Sequence, residues 1–213
     1  MTEIASFTFN PFQENTYIIY EAGGECIIID PGCYQPEEKA TLIDFIQKKE
    51  LTPVRLLNTH CHIDHVFGNR FVADTYGLGL EIPAGELMVL NAVPQIAQMY
   101  GLPYPEPSPV PTRFIAEGEI IEFGSTELKT LLTPGHSPAS MSFYCEAAQF
   151  LIAGDVLFDG SIGRTDLPGG DMDTLLESIR TQFLVLPDEV VVYPGHMSST
   201  TIGKERRTNP FLQ

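Results

Sequence analysis

Four potential metal ligands lie within six residues of the sequence, in the segment 58–67: His60, His62, Asp64 and His65. An apolar run before them predicts a short buried strand, and an amphipathic pattern after them predicts a helix that ends at Gly77. The ligands would therefore lie in the turn between a strand and a helix. Because residues two apart point the same way in extended chain, His60 and His62 can bind one ion. Imidazole and carboxylate groups suit zinc and iron, so this segment predicts a metal site.

Three later segments repeat this arrangement, each with a predicted apolar strand, then a glycine, then a possible ligand. The ligands are His136 in Thr-Pro-Gly-His, Asp155 in Ala-Gly-Asp and His196 in Tyr-Pro-Gly-His. Glycine lets the backbone turn tightly and approach another group closely. Any one of these residues alone would be interpreted as a turn residue. However, all five histidines of the protein occupy such strand-end positions, so we expect them to meet along one edge of a sandwich.

Five histidines and two aspartates are too many ligands for one tetrahedral ion, whereas a site for two divalent cations accounts for all seven. The predicted assignment is His60, His62 and His136 for the first ion, Asp64, His65 and His196 for the second, and Asp155 as a bridge. Zinc is the favoured metal, with iron and manganese as alternatives. Two cations about 3.5–4 Å apart can share a hydroxide whose pKa falls to about 7. This chemistry indicates hydrolysis of an acyl compound.

Asp64 has a second possible role in this scheme. A carboxylate at the edge of a metal site can accept or donate a proton, so Asp64 is also the candidate catalytic residue. Cys61 lies between two predicted ligands, but in extended chain its side chain should point away from them. We therefore expect no metal role for Cys61.

The predicted elements of the first half surround the ligand turn. They are strands at 4–9, 15–20, 26–29 and 80–83, a helix from Pro36 to about Lys49, and a helix at 86–100. Every second residue from Pro103 to Pro111 is proline. This stretch must be extended and lacks donors for strand pairing, so it is either a lid over the site or a stiff connector between two halves.

The second half has the same predicted design. Its predicted strands are 120–123, 127–132, 142–145, 150–153 and 190–193, and its predicted helix is 172–183. Strands with helices in each half predict an α+β fold, with two sheets packed face to face and helices outside. We expect one domain over residues 1–213, with two related halves at about 1–100 and 112–213.

The composition narrows the classes of partner. The 213 residues include 12 Lys and Arg against 28 Asp and Glu, a formal net charge of −16. This charge repels nucleic acids and anionic membranes, although solubility alone also explains it. There is no apolar run of about 18 residues for a membrane span and no signal-peptide pattern. The four cysteines lack CxxC spacing, so we expect reduced thiols, a cytoplasmic protein and a small-molecule substrate.

The motifs His-Cys-His-Ile-Asp-His, Thr-Pro-Gly-His, Ala-Gly-Asp and Tyr-Pro-Gly-His, in that order, resemble the metallo-β-lactamase superfamily over nearly the whole chain. The resemblance implies a four-layer αβ/βα sandwich with the metals at one edge. Asn-Pro-Phe at 10–12, Asp-Pro-Gly at 30–32 and Ser-Ile-Gly-Arg-Thr-Asp at 161–166 are most similar to the glyoxalase II-like branch. Its members are hydroxyacylglutathione hydrolases, which implies attack of a metal-bound hydroxide on an acyl thioester such as S-lactoylglutathione.

Departures from related branches refine this resemblance. Asp155 stands where one class of antibiotic-hydrolysing members carries a cysteine ligand, and His62 stands where diiron flavoproteins carry glutamate. Full-length glyoxalase II enzymes continue after the last ligand histidine into a helical domain that helps to hold glutathione. Here 17 residues follow His196, so the chain resembles the short, single-domain type.

Several alternatives stay open on the sequence alone. Mononuclear iron persulfide dioxygenases resemble this chain in nearly every ligand, so they are the second functional hypothesis. A non-catalytic scaffold would have lost ligands, and none is lost. Arg164 either lies near the substrate or pairs with Asp166 to fix its loop. The basic residues Lys204, Arg206 and Arg207 either attract an anionic substrate or belong to a solvated tail.

Overall fold

Two six-stranded sheets form the centre of the computed structural model, which describes residues 2–104 and 106–213. The first sheet contains β1 (Thr2–Phe9), β2 (Glu14–Glu21), β3 (Glu25–Ile29), β4 (Thr52–Leu57), β5 (Leu80–Pro83) and β6 (Arg113–Ile115), in that spatial order. Strands β1 to β3 are antiparallel, and β3 to β6 are parallel. The predicted strands of the first half are confirmed.

The second sheet brings three ligand-bearing strands to one edge. It contains β7 (Ile120–Phe123), β8 (Thr126–Leu132), β9 (Met141–Cys145), β10 (Phe150–Gly154), β13 (Val191–Pro194) and β14 (Thr200–Thr201), and a separate ribbon contains β11 (Leu157–Phe158) and β12 (Ser161–Ile162). Strand β9 is antiparallel to both β8 and β10, and β13 is parallel to β10. Strands β8, β10 and β13 therefore end at the same edge, as predicted.

The helices lie outside the sheets. They are α1 (Pro36–Lys48), α2 (Ile63–Val66), α3 (Asn69–Tyr76), α4 (Leu87–Tyr100), α5 (Met172–Ser178) and α6 (Ile202–Thr208). A 3₁₀ turn, Ala84–Glu86, precedes α4, and α5 continues as a π-helical turn, Ile179–Phe183. In the described residues, no helix is both long and apolar enough to cross a bilayer.

The helix predicted after the ligand turn is present as α3, but the chain forms a separate short helix, α2, before it and breaks at Gly68. The Gly68 N–H donates to the Pro31 carbonyl at 2.7 Å. A Cβ atom at this glycine would lie 2.4 Å from Cys33 Sγ, so neighbouring chain fills the space that a side chain would need. The predicted end of the helix is confirmed, since Gly77 has the left-handed conformation that ends α3, with φ of 67°.

Three apolar layers hold the four structural layers together. Side chains alternate along the strands, so Ile28 packs under α1 and α3, whereas Ile27 and Ile29 pack against the second sheet. The layer between the sheets includes the fully buried Phe143. A third layer packs the outer face of the second sheet against α5 and α6. The predicted four-layer αβ/βα sandwich is confirmed.

The proline-rich segment leads from α4 into β6, the edge strand of the first sheet. The chain therefore passes to the second sheet only between β6 and β7. Pro105 lies outside the described residues. Elsewhere in the segment, the Pro103 carbonyl accepts a hydrogen bond from Tyr34 Oη at 2.8 Å, and Asn69 Nδ2 donates to Ser108 Oγ at 3.1 Å. These bonds hold the segment against the helical layer of the first half.

The C-terminal residues are folded rather than a solvated tail. The Thr201 side chain caps α6, and Arg206 donates to the carbonyls of Leu184 and Leu186 at 2.8 and 2.9 Å. Arg207 pairs with Asp188 at 3.0 Å. These contacts show that the basic residues of α6 fasten the helix to the second half.

Candidate metal centre

The first predicted set of ligands forms a compact cluster at the junction of the two sheets. His60 and His62 follow β4, and His136 follows β8. One ring nitrogen from each of the three lies within 4.8 Å of the other two. His62 Nδ1 and His136 Nε2 are 2.9 Å apart. The structure therefore brings together the three imidazoles that were assigned to the first ion.

The second predicted set forms a neighbouring cluster. Asp64 and His65 lie at the start of α2, and His196 follows β13. Asp64 Oδ2 lies 3.1 Å from His196 Nε2 and 3.7 Å from His65 Nε2. The ligand atoms of this set also lie within 4.8 Å of one another. This cluster has one carboxylate and two imidazoles, as the sequence assignment requires.

Asp155, at the end of β10, lies between the two clusters. Its Oδ2 atom is 3.5 Å from His136 Nε2 and 3.4 Å from His196 Nε2. Its Oδ1 atom is 3.6 Å from His65 Nε2. Asp155 therefore faces one imidazole of the first cluster and two of the second, which is compatible with the predicted role of a shared ligand.

Oxygen atoms of the protein hold the outward-facing nitrogen of four of the five imidazoles. The Nδ1 atoms of His60, His65, His136 and His196 lie 2.8–3.1 Å from Thr59 Oγ1, Asp30 Oδ2, the Arg164 carbonyl and the Gln13 carbonyl, in that order. Such outer partners set the tautomer and the orientation of metal-ligating histidines. Each of these rings therefore presents Nε2 to the centre.

Asp30 is a functional residue that the sequence analysis missed, since it was assigned only to a turn. Besides His65, its carboxylate accepts hydrogen bonds from the Thr59 N–H at 2.7 Å and from Asn58 Nδ2 at 3.2 Å. The parallel pairing of β3 with β4 places Ile29 beside Leu57, so the next residues on the two strands meet at the same edge. The sequence did contain a signal for this role, because Asp30 is a carboxylate that directly follows a predicted strand.

The residues present fit divalent cations. Nε2 of His60, Nε2 of His65 and Oδ1 of Asp155 are buried and have no hydrogen-bond partner among the described residues. Each such orphaned group costs about 1–3 kcal/mol unless something binds it. At Gly195 a Cβ atom would lie 2.1 Å from Asp155 Oδ1 and 2.7 Å from His65 Cε1. The glycine predicted to allow close approach therefore keeps the space beside these ligands open.

In the absence of metal, two imidazoles of the first cluster, those of His60 and His62, are neutral. Burial, followed by repulsion from His65 and His62, lowers the pKa of His60 well below its usual range. Burial and His136 lower the pKa of His62 to about 3. Neutral imidazoles have lone pairs available, which is the state in which histidine binds metals.

In the second cluster, protons on His65 and His196 balance the negative charge of the neighbouring carboxylates. Burial disfavours charge on His65, but the carboxylates of Asp64 and Asp155 outweigh burial and raise its pKa well above the usual range. The same carboxylates raise the pKa of His196 to about 9, against the effect of burial. Burial would raise the pKa of Asp155, yet His65 and His196 hold it well below its usual range. Cations bound here would replace these protons.

The structure also bears on the predictions for Arg164 and Cys61. Arg164 forms two hydrogen bonds to Asp166, both of 2.7 Å, so the pair that fixes its loop is present. The Arg164 carbonyl adds the bond to His136. Cys61 is buried in the apolar layer under the helices of the first half and belongs to neither cluster of ligand atoms. This agrees with the prediction that its side chain points away from the ligands.

Comparison with known proteins agrees with this geometry. The profile of the metallo-β-lactamase superfamily matches residues 9–196. The hydroxyacylglutathione hydrolase GloC of Haemophilus influenzae is 38% identical over 202 residues, which cover 94% of this chain and 93% of that protein. Two solved structures are similar in fold and in length. BLEG-1 B3 metallo-β-lactamase is 35% identical with a TM-score of 0.90, covering 99% of this chain and 100% of that one.

The second structure, TTHA1623 in a di-iron-bound form, is 36% identical with a TM-score of 0.85 and covers 98% of this chain and 100% of that one. The family profile spans every residue of both ligand clusters, from His60 to His196. The chain therefore belongs to the metallo-β-lactamase superfamily of metallo-hydrolases and carries that family's histidine and aspartate cluster for divalent metal ions.

Proposed function

We propose that this protein is a dinuclear metallo-hydrolase that cleaves acyl thioesters such as S-lactoylglutathione. The observation that carries the proposal is the arrangement of six ligand side chains in two adjoining clusters of three, with Asp155 between them as the seventh. A single ion would leave one of the clusters without a function. The TTHA1623 structure, which holds two irons, supports two metals in this fold.

The protein's own residues would prepare the site for hydrolysis. His60, His62 and His136 would hold one cation, and Asp64, His65 and His196 the other, with Asp155 shared. Bound divalent cations would supply a coordinated water with a pKa near 7 and a Lewis acid for the carbonyl oxygen. Asp30 and the backbone carbonyls behind the rings would keep the imidazoles in position. The water oxygen bonds to the acyl carbon, the carbon–sulfur bond breaks, and an acid and a thiol form.

The leaving group favours a thioester over an amide. A thiol has a pKa of about 8.5, so it leaves as a thiolate without a proton donor. An amide nitrogen requires protonation as it leaves. Asp64 is a poor donor, because His65 and His196 outweigh the effect of burial and hold its pKa below the usual value. We therefore assign Asp64 as a metal ligand first, and its role as a base stays a prediction.

Two other activities have specific motivation. BLEG-1, named as a B3 metallo-β-lactamase, shares the fold over the full chain, so β-lactam hydrolysis is a competing activity. The persulfide dioxygenase hypothesis requires one iron and oxygen. The name of the Haemophilus influenzae relative, a hydroxyacylglutathione hydrolase, supports the thioester proposal over both.

The test combines metal analysis with a substrate panel. We expect purified protein to bind about two metal equivalents and to cleave S-lactoylglutathione or a smaller acyl thioester faster than any β-lactam. The same preparation should consume no oxygen with glutathione persulfide. A fully metallated protein that hydrolyses no thioester would contradict the proposal, and one iron per chain with oxygen consumption would establish the dioxygenase.

Asp64→Asn supplies the matched variant, because it keeps the size of the side chain and removes its charge. We expect it to fold normally but to bind one metal instead of two. Thioester cleavage should fall by more than the 10–100-fold typical of an outer partner. Two metals retained in this variant would contradict the assignment of Asp64 to the second ion.

A further inference from the structure

Glu86 is a fully buried carboxylate that is not a predicted metal ligand. It ends the 3₁₀ turn before α4 and faces two of the ligand-bearing segments. Its Oε2 atom accepts a hydrogen bond from the Cys61 N–H at 3.0 Å. Its Oε1 atom accepts from Ser137 Oγ at 2.7 Å and from the Ala139 N–H at 2.8 Å. Both carboxylate oxygens therefore accept hydrogen bonds from segments that carry ligands of the first cluster.

These three bonds join segments that are far apart in sequence. Cys61 lies between His60 and His62, at the end of a strand of the first sheet, and Ser137 follows His136, at the end of a strand of the second sheet. The turn also packs tightly there, since a Cβ atom at Gly85 would lie 2.6 Å from Ala139 Cβ. Glu86 thus sets the spacing between the two sheets at the first cluster.

We propose that Glu86 is a positioning residue that holds His60, His62 and His136 at the separation needed for the first cation. This inference rests on the proposed dinuclear centre and adds a residue that contacts neither metal nor substrate. The second cluster has no bond to Glu86 among the described residues, so its ligands should be independent of it. Removing the Glu86 carboxylate should therefore weaken binding of the first-cluster cation and leave binding of the second-cluster cation unchanged.

Glu86→Gln is the sharpest variant. The glutamine has nearly the same shape but only one acceptor oxygen, and its amide N–H₂ group would face a buried N–H of Cys61 or Ala139. Two donors cannot bond to each other, so one of the two ligand-bearing segments must shift. Loss of an outer partner typically weakens metal affinity by about 10–100-fold.

Glu205→Gln is the matched control. Glu205 is also fully buried and also accepts three hydrogen bonds, from the Gly160 N–H, Thr200 Oγ1 and Asn209 Nδ2. These groups carry no metal ligand. In each variant an amide group replaces one oxygen of a fully buried carboxylate, so both should lower the melting temperature. Only the Glu86 variant should alter the metal centre.

The experiment titrates metal-free full-length protein with Zn²⁺ against a chromophoric chelator, and then records the Co²⁺ absorption spectrum. The titration should show two binding steps. The step that His62→Ala weakens belongs to the first cluster, and the step that His196→Ala weakens belongs to the second. We expect Glu86→Gln to weaken the first-cluster step by about 10–100-fold, to leave the other step unchanged and to shift the Co²⁺ bands of the first site. Glu205→Gln should bind both metals like the wild type.

Three outcomes would overturn the inference: unchanged titration of Glu86→Gln, equal weakening of both steps, or the same weakening in Glu205→Gln. If Glu86→Gln does not fold, Ser137→Ala removes one of the three bonds and should weaken the same step by less, with Thr200→Ala as its control. A single binding step in the wild type would instead contradict the dinuclear proposal itself. Because no substrate is used, absence of thioester cleavage leaves this test intact.

Discussion

At each of four ligand histidines, one ring nitrogen faces the metal centre and the other is bound by a protein oxygen. The two clusters nevertheless differ in charge. In the first cluster the imidazoles of His60 and His62 are neutral because burial dominates, whereas in the second cluster carboxylates keep protons on His65 and His196. A cation entering the second cluster must displace protons, and one entering the first displaces none from His60 or His62.

Metal binding should therefore release protons, with a predictable dependence on pH. The pKa of His196 is raised to about 9 in the metal-free protein, so this group is protonated at pH 7.5. Affinity for the second cation should rise as the pH increases through about 9, because His196 then loses the proton that the cation would otherwise displace. Calorimetric titration in buffers of different ionisation enthalpy measures the protons released. A binding heat independent of the buffer at pH 7.5 would contradict this prediction.

At the scale of elements, the β1–β2 loop, taken together with the first two residues of β2 (residues 10–15), serves the second cluster. Asn10 Nδ2 donates to the carbonyls of Gly32 and Asp64, both at 3.0 Å. Asn15 Nδ2 donates to the carbonyls of Pro194 and Met197 at 3.1 and 2.8 Å. The loop is thus bonded to the chain on both sides of this cluster, at the start of α2 and after β13.

Asn15→Ala should therefore weaken the second-cluster metal step and spare the first, because it frees the segment that carries His196. The matched control is Asn209→Ala, since Asn209 Nδ2 also makes two buried or part-buried bonds, to the Ser161 carbonyl and Glu205. Both variants should lose about 1–3 kcal/mol in free energy of unfolding. Chelator competition separates them, and equal metal affinity in the two variants would show that the loop does not position His196.

At the scale of the whole molecule, the metal centre fastens the two sheets to each other. His60, His62, Asp64 and His65 come from the first half, and His136, Asp155 and His196 from the second. The sheets also meet through the Met141 N–H, which donates to the Thr59 carbonyl at 2.8 Å, and through the apolar layer around Phe143. Cations bound by both halves stabilise the folded state, because the unfolded chain does not assemble the site.

Removing the metals should therefore lower the melting temperature of the entire protein. At a free metal concentration of 100 Kd, one site contributes about 2.7 kcal/mol. For a chain of this size, that corresponds to roughly 5–10 °C. Thermal unfolding with and without EDTA measures the shift, and His62→Ala, which lacks a first-cluster ligand, should show a smaller one. A melting temperature that EDTA leaves unchanged would contradict a structural role for the metals.

Most of the strands, and the grouping of the seven candidate ligands, were predictable from local sequence. Each ligand follows a short apolar strand and a turn, and both signals lie within a few residues of His60, His136, Asp155 or His196. The continuous apolar run Cys26-Ile27-Ile28-Ile29 likewise predicts β3 as a buried strand. The break at Gly68 was not predictable, because its cause is the distant chain at Pro31 and Cys33.

The sequence by itself determined which side chains can bind metals and that they lie at strand ends, because residue type and local periodicity specify both. Only the tertiary structure decided which groups support them. Glu86 and Ser137 are 51 residues apart, and Asn15 and Pro194 are 179 apart. Such hydrogen bonds depend on how the two sheets pack, and no local pattern records that packing. The contrast between the neutral imidazoles of His60 and His62 and the protonated ones of His65 and His196 has the same origin, since burial and neighbouring charge exist only in the folded protein.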